Sequence, residues 1–351
     1  MFGRAPRSFD AALRDLSAKR ADVRASAAEE LAPHAENHRT EVVDALRHAL
    51  DDSAAEVRAA AALALADAGA DEAVPTLIEA IADEDDHVQQ MAITALGELR
   101  ASAAAEAIRG ALSHEAAPVR FQAVIAYPRV ATDHEDAVRA LVEATRDEDA
   151  LVRHIALRMA EELGTPHTQD TENEGTKADD TPIAAPLLTR ARALLRDDSD
   201  VVRIAAAVVL ARAGLRDGTD ILIGVANREL VTSEADDEAA ALDLCGELAL
   251  KEATPGLVER GYSGGLLTSR NAFAWQARVA LAALGYERAQ KWVLAELKAW
   301  TRERRTLGVA AVIQSKLAAA RPLLEAMRGD PTRADPELVA EALATLDANE
   351  R

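Results

Sequence analysis

The chain has a single cysteine, Cys245, in 351 residues, which excludes an internal disulfide and a cysteine-based zinc site. Aromatic residues make up only 3% of it although hydrophobic residues make up 49%, so the apolar content is mostly Ala, Leu and Val. Side chains this small suit closely stacked helices better than the wide interior of a sheet. Glycine (17) and proline (12) are too few for an all-β chain that must turn about every ten residues. No run approaches the roughly 18 uninterrupted apolar residues of a membrane span. The segment from Met1 to Arg7 leads into an amphipathic helix with no apolar signal core, so a cytoplasmic location is expected. Lysine is also scarce, 6 against 34 arginines, which speaks to the host and not to function.

Charge, by contrast, is abundant and one-sided, with a net value of −20. Residues 1–163 hold 17 Lys+Arg against 31 Asp+Glu, residues 164–182 hold 1 against 5, and residues 183–351 hold 22 against 24. The acidic first half repels nucleic acid and anionic membrane. It serves equally as a solvated surface that keeps the chain in solution.

A repeat organises the rest. An acidic turn, then Val-Arg, then apolar or Ala positions four, five, seven and eight residues after the Val recur at Val23-Arg24, Val57-Arg58, Val88-Gln89, Val119-Arg120, Val152-Arg153 and Val202-Arg203. The Val-to-Val spacings are 34, 31, 31, 33 and 50, and the last falls to 31 once the 19 residues of 164–182 are set aside. In the second copy Val57, Ala61, Ala64 and Leu65 share one helical stripe. In the third, Val88, Ala92, Ile93, Ala95 and Leu96 do so, and Gly97 reads as the helix stop. A second helix precedes each, as in Val74-Pro75-Thr76-Leu77-Ile78, where Pro75 suits a first turn. One such pair buries too little alone, so the pairs must stack.

These residues resemble the HEAT family, in particular the short repeats of phycobilisome lyases, closely over 10–215 and more loosely beyond. The resemblance implies an all-α fold, a right-handed α-α superhelix of helical hairpins. It also implies a ladder of turn aspartates and second-helix arginines between repeats, here Asp51/Asp52 with Arg58, Asp147/Asp149 with Arg153, and Asp197/Asp198 with Arg203. Gln89 and Ser113-His114-Glu115 depart from that pattern and weaken the ladder locally. The expected organisation is regular repeats over 1–163, a disordered acidic insertion over 164–182, and divergent repeats of the same solenoid over 183–351. In the divergent part Asp236–Leu250 and Asn271–Gly285 read as second helices, Tyr286–Ala299 and Thr306–Ala319 continue the alternation, and Asp335–Asp347 closes it, for about nine or ten pairs. Pro128, in the slot of Gly97, should end or kink its helix early.

Catalytic chemistry has little support. His34 and His38 stand four apart but follow Pro33 in a connecting segment with no third ligand. His114-Glu115 and His134-Glu135 invite comparison with the iron-holding His-Glu pairs of deoxyhypusine hydroxylases. Their separation of 20 residues misses the 31-residue period, which places them at opposite ends of the helices. Gly261-Tyr262-Ser263-Gly264-Gly265 with Thr268-Ser269-Arg270 could hold an anion, but it lacks a phosphate-loop lysine and a preceding strand. A flexible turn with Ser269 near a helix cap is the plainer reading. No catalytic residue, cofactor or metal is called for.

The family resemblance places binding on the concave face, lined by second helices. Offsets two, three and six from the Val put Met91, Phe121, Ile125, Ile155, Ile204 and Val208 there, among Gln90, Gln122, His154 and Arg158. An apolar stripe so placed could take an amphipathic helix or extended peptide of a protein partner, or it could simply pack between repeats. A second candidate is an aromatic and basic patch of Trp275, Trp292, Trp300, Arg302, Arg304 and Arg305, in a stretch (270–305) with eight Lys+Arg against three Asp+Glu. It could meet an acidic protein, pair with the acidic half, or fill the core; nucleic acid, as in HEAT-like alkylpurine glycosylases, is disfavoured by the overall charge. The function expected is a non-enzymatic protein-binding scaffold. The alternative is a HEAT-like enzyme or accessory, either a repair glycosylase, for which Glu296 or Glu303 beside Trp300 is the only neighbourhood, or a tetrapyrrole lyase or chaperone.

Overall fold

The computed structural model describes residues 7–164, 183–263 and 272–349. The proposed insertion at 164–182 and the glycine turn after Ser263 therefore lie, but for Gly164 itself, outside the described residues. Among those described, every regular element is helical and the helices come in hairpins. Two compact units divide the chain, Met1–Leu187 and Leu188–Arg351.

In the first unit the hairpins are α1 (Phe9–Asp15) with α2 (Ala21–Glu29), and α3 (Ala35–Ala49) with α4 (Ala55–Asp67). Next come α5 (Val74–Ala80) with α6 (Asp86–Glu98), α7 (Ala105–Ala111) with α8 (Ala117–Val130), and α9 (His134–Ala144) with α10 (Ala150–Gly164). The unit boundary falls within α11 (Ala185–Leu194), and α12 (Asp200–Arg212) follows it. Then follow α13 (Thr219–Ala226) with α14 (Ala235–Glu247), and α15 (Thr254–Tyr262) with α16 (Ala274–Ala283). The last are α17 (Glu287–Glu296) with α18 (Arg302–Ser315), and α19 (Arg321–Glu325) with α20 (Pro336–Asn349).

Local chemistry starts and stops these helices. Asp85 caps α6 by accepting from the His87 and Val88 amides, and Asp133 caps α9 through Glu135. Pro75, Pro118, Pro255 and Pro322 sit in first turns, where no amide donor is required. Six of the second helices (α4, α6, α12, α14, α16 and α18) end at one register position, twelve residues after the repeat valine or its equivalent. Gly69, Arg100, Gly214, Ala249, Gly285 and Lys316 occupy it, all with left-handed φ of 49° to 84°.

Two expectations about helix ends are corrected here. Gly97 does not stop α6, which runs on to Glu98 and turns at Arg100. Its lack of a side chain serves packing, because a Cβ there would lie 2.9 Å from the Ala126 Cβ. Pro128 does not shorten α8, which continues to Val130. Only the last turn remains beyond it, so little is lost when its missing amide cannot bond.

Within each unit the second helices pack directly on one another, α2 through α10 in the first and α12 through α20 in the second. Alanines make that approach possible. In α4 every residue from Val57 to Ala62 is buried, four of them alanine.

Candidate partner-binding face

The arginine that follows the repeat valine is placed by three hydrogen bonds. Arg58 Nη1 donates to the Asp52 carbonyl of its own turn at 2.9 Å, while Nε and Nη2 grip the Asp83 carboxylate of the next turn at 2.8 and 2.7 Å. Arg24 does the same with the Ala18 carbonyl and Asp52, and Arg120 with the His114 carbonyl and Asp147. The carbonyl is always six residues back, and each aspartate also accepts a backbone amide two residues on. The expected pairing of Arg58 with the Asp51/Asp52 carboxylates is thus off by one repeat. Side chains in these pairs are about 9–15% exposed, so losing one partner would strand a largely desolvated charge.

The two sequence departures prove to be the two halves of one rung. Gln89 keeps the bond to the carbonyl six back, Asp83 O at 2.6 Å, and His114 Nδ1 accepts the Ala116 amide where the other turns use an aspartate. In the second unit Glu238 stands in the arginine's place and pairs with Arg260 of α15, a helix residue, not a turn residue. Two of the helices without the arginine, α6 and α14, each carry a glycine nine residues after the valine position, Gly97 and Gly246. Both press on an alanine of the next second helix, Ala126 and Ala280.

With that ladder on one edge, the partly uncovered stripe of the first unit's second helices lies at offsets −1, 3, 6 and 10, where Ala60 of α4 is nonetheless buried. In α4 these are Glu56, Ala60, Leu63 and Asp67; in α6, His87, Met91, Thr94 and Glu98. In α8 they are Pro118, Gln122, Ile125 and Arg129; in α10, Leu151, Ile155, Arg158 and Glu162. Met91, Ile125 and Ile155 are half-buried on this stripe, with Phe121 half-buried beside it. Thr94 Oγ1 bonds Gln122 Oε1 across α6 and α8 at 3.2 Å. Arg129 pairs with Glu162 at 3.0 Å and Arg158 with Glu161 at 2.6 Å. Ile204 and Val208 do not belong to a surface, for every residue from Ile204 to Leu210 is fully buried. Sequence offsets also passed over Asp67, Glu98 and Leu151, which the same helical period would have found.

The aromatic and basic patch does not come together as one surface. Trp275 and Trp292 are half-buried against the core of the second unit, and Arg278 lies 5.3 Å over both Tyr262 and Trp292. Arg304 is held by Glu296 at 2.6 Å. Arg305 is a ladder arginine: it donates to the Ala299 carbonyl six back, and to the Arg333 and Thr332 carbonyls of the following turn. What stands free is Trp300, 97% exposed, with exposed Arg302 and Leu307.

The histidines have structural partners. His38 stacks on Phe9 at 3.9 Å, and His34 tilts against the same ring while Nε2 meets the Arg7 carbonyl. Among the described residues no group of three or more His, Cys, Asp or Glu is placed to hold a metal, and no helix is long and apolar enough to cross a membrane. Burial pushes the Cys245 thiol up to about 12, so it is an inert core side chain. A cavity of about 860 Å³ opens between α7 and α9. Its arginines are tied to its own acids, Arg109 and Arg139 to Asp136, Arg120 to Asp147 and Arg146 to Glu143.

Residues 10–89 and again 74–161 match the family model for HEAT repeats. Among solved structures, YibA of Escherichia coli aligns at 16% identity over 80% of this chain and 93% of that one, with a TM-score of 0.53. Kap95p, in a structure with RanGDP, aligns at 13% identity over 97% of this chain and 51% of that one, with a TM-score of 0.50. The CpcE–CpcF complex of phycocyanin lyase from Nostoc sp. PCC7120 aligns at 19% identity over 81% and 96%, with a TM-score of 0.44 that bears no weight. No curated protein matches the chain. At these identities the likenesses speak to the fold, an all-helical solenoid of the HEAT/ARM type.

Proposed function

Residues 10–161 are HEAT repeats, and from that premise we propose that the protein is a non-enzymatic scaffold that holds a protein partner on the second-helix face of its N-terminal unit. One observation carries the reading: Met91, Phe121, Ile125 and Ile155 are only partly buried on adjoining helices, while the same positions of α12 are fully buried. Apolar side chains left open side by side on an otherwise acidic surface are the usual mark of a docking site. Kap95p is an instance of this fold whose solved structure includes RanGDP. A catalytic reading finds less support, since Glu296 is engaged by Arg304 and the cysteine is buried.

The test is an affinity pull-down read by mass spectrometry, comparing the wild type with an Ile125→Asp, Ile155→Asp variant. Both sites are half-open, so circular dichroism should show an intact helical fold. Partners lost only in the variant are the expected outcome. Identical partner sets from two folded proteins would remove the face from the proposal.

A further inference from the structure

We infer that the segment held by this face is an amphipathic helix whose polar side is basic. The inference rests on the docking role proposed above and adds the chemistry of the occupant. Neighbouring packed helices stand about 8–10 Å apart, so Met91 on α6, Phe121 and Ile125 on α8, and Ile155 on α10 form a band crossing three helices. Phe121 and Ile125 are one turn apart, which makes the band about 6 Å wide along α8. That is the width of a helix's apolar stripe, wider than a single row of side chains. A helix lying across the three would bring side chains seven apart, about 10.5 Å along its axis, over successive second helices. It would place one heptad on each.

The charge of the face then selects the polar side. Its cations are already engaged, Arg129 by Glu162 and Arg158 by Glu161. At the far rim Asp67 on α4 and Glu98 on α6 are exposed, and no cation of the described chain pairs with either. Glu56 is exposed at the opposite end of α4. The uncompensated charge beside the apolar band is negative on both rims of α4. Lysine or arginine flanking a partner's apolar stripe gains there, and glutamate is repelled.

The experiment is fluorescence anisotropy on the full chain with three labelled peptides of about 18 residues, long enough to cross the band. One is an amphipathic helix with leucines on one side and lysines on the other. The second replaces the lysines with glutamates, and the third scrambles the first so that no apolar stripe forms. The basic amphipathic peptide should bind, and Asp67→Lys with Glu98→Lys should weaken it about tenfold or more. Glu79→Lys with Glu106→Lys, exposed on the first helices α5 and α7 and so off the second-helix face, should change it less than about twofold. Ile125→Asp should abolish binding.

Equal binding of the scrambled peptide, or equal effects of the first-helix and rim variants, would reduce the attraction to bulk charge and overturn the inference. So would equal binding of the acidic peptide. A cellular partner lost in the Ile125→Asp, Ile155→Asp variant, with no preference among peptides, would leave the docking face standing and remove only the basic helix.

Discussion

Asp243 shows how a single side chain departs from the rule of its repeat. It sits on α14 at the position that Ile125 fills in α8, with one carboxylate oxygen buried and unpartnered. Burial raises its pKa to about 6; Glu247, one turn on, adds to the shift, and Arg212 of α12 opposes it. Because the folded value lies above the unfolded one, the native state favours the protonated form. Stability from this group is therefore present in acid, is lost as pH rises from about 4 to about 6, and stays lost above. Asp243→Asn should stabilise the protein at pH 7.5 by about 1 kcal/mol, once the shift is discounted for partial exposure. Urea unfolding at pH 7.5 and pH 4 checks it; a gain of the same size at both would place the cause elsewhere than in ionisation.

At the scale of the helix, α6 and α14 have close contact in place of the ladder arginine. Where α6 lacks the ladder arginine, Gly97 lets α8 come within touching distance. Gly97→Ala should cost about 1–3 kcal/mol although alanine is the better helix former, because α6 and α8 must part to admit the methyl group. Gly110, in the exposed part of α7, has nothing within 4 Å of the place a Cβ would take. Gly110→Ala should stabilise by about 0.5–1 kcal/mol. Thermal unfolding of the two variants separates the readings: the same sign for both would deny the packing role of Gly97. The helices themselves were legible from the 31-residue period, including the divergent α14, α16, α18 and α20. Their ends were less so, since Arg100, Ala249 and Lys316 take a left-handed turn that their residue types do not announce.

Across the whole molecule, charge is the dominant asymmetry. Residues 1–163 carry a net −14 and residues 164–182 a net −4 of the total −20. The buried ladder pairs are shielded from ions in solution, whereas carboxylates such as Glu56, Asp67 and Glu98 are exposed, where like charges repel through water and salt screens them. Adding about 0.3 M sodium chloride to a low-salt buffer should therefore raise Tm by a few degrees. A fall in Tm would mean that attraction between exposed charges outweighs their repulsion.

The sequence by itself determined the fold, because its helices follow a local pattern that recurs every 31–36 residues once 164–182 are set aside. It also marked the odd rung, since Gln89 and His114 both broke the pattern. The tertiary structure decided which side chains remain available. Ile125 and Val208 hold the same position in their repeats, yet one is half-buried and the other fully buried. Arg302 and Arg305 lie three apart, yet one is exposed while the other binds the backbone of the next turn. Helical periodicity places a side chain on a face of its own helix. Whether that face meets solvent depends on how closely the neighbouring hairpins approach, and no single repeat encodes that distance.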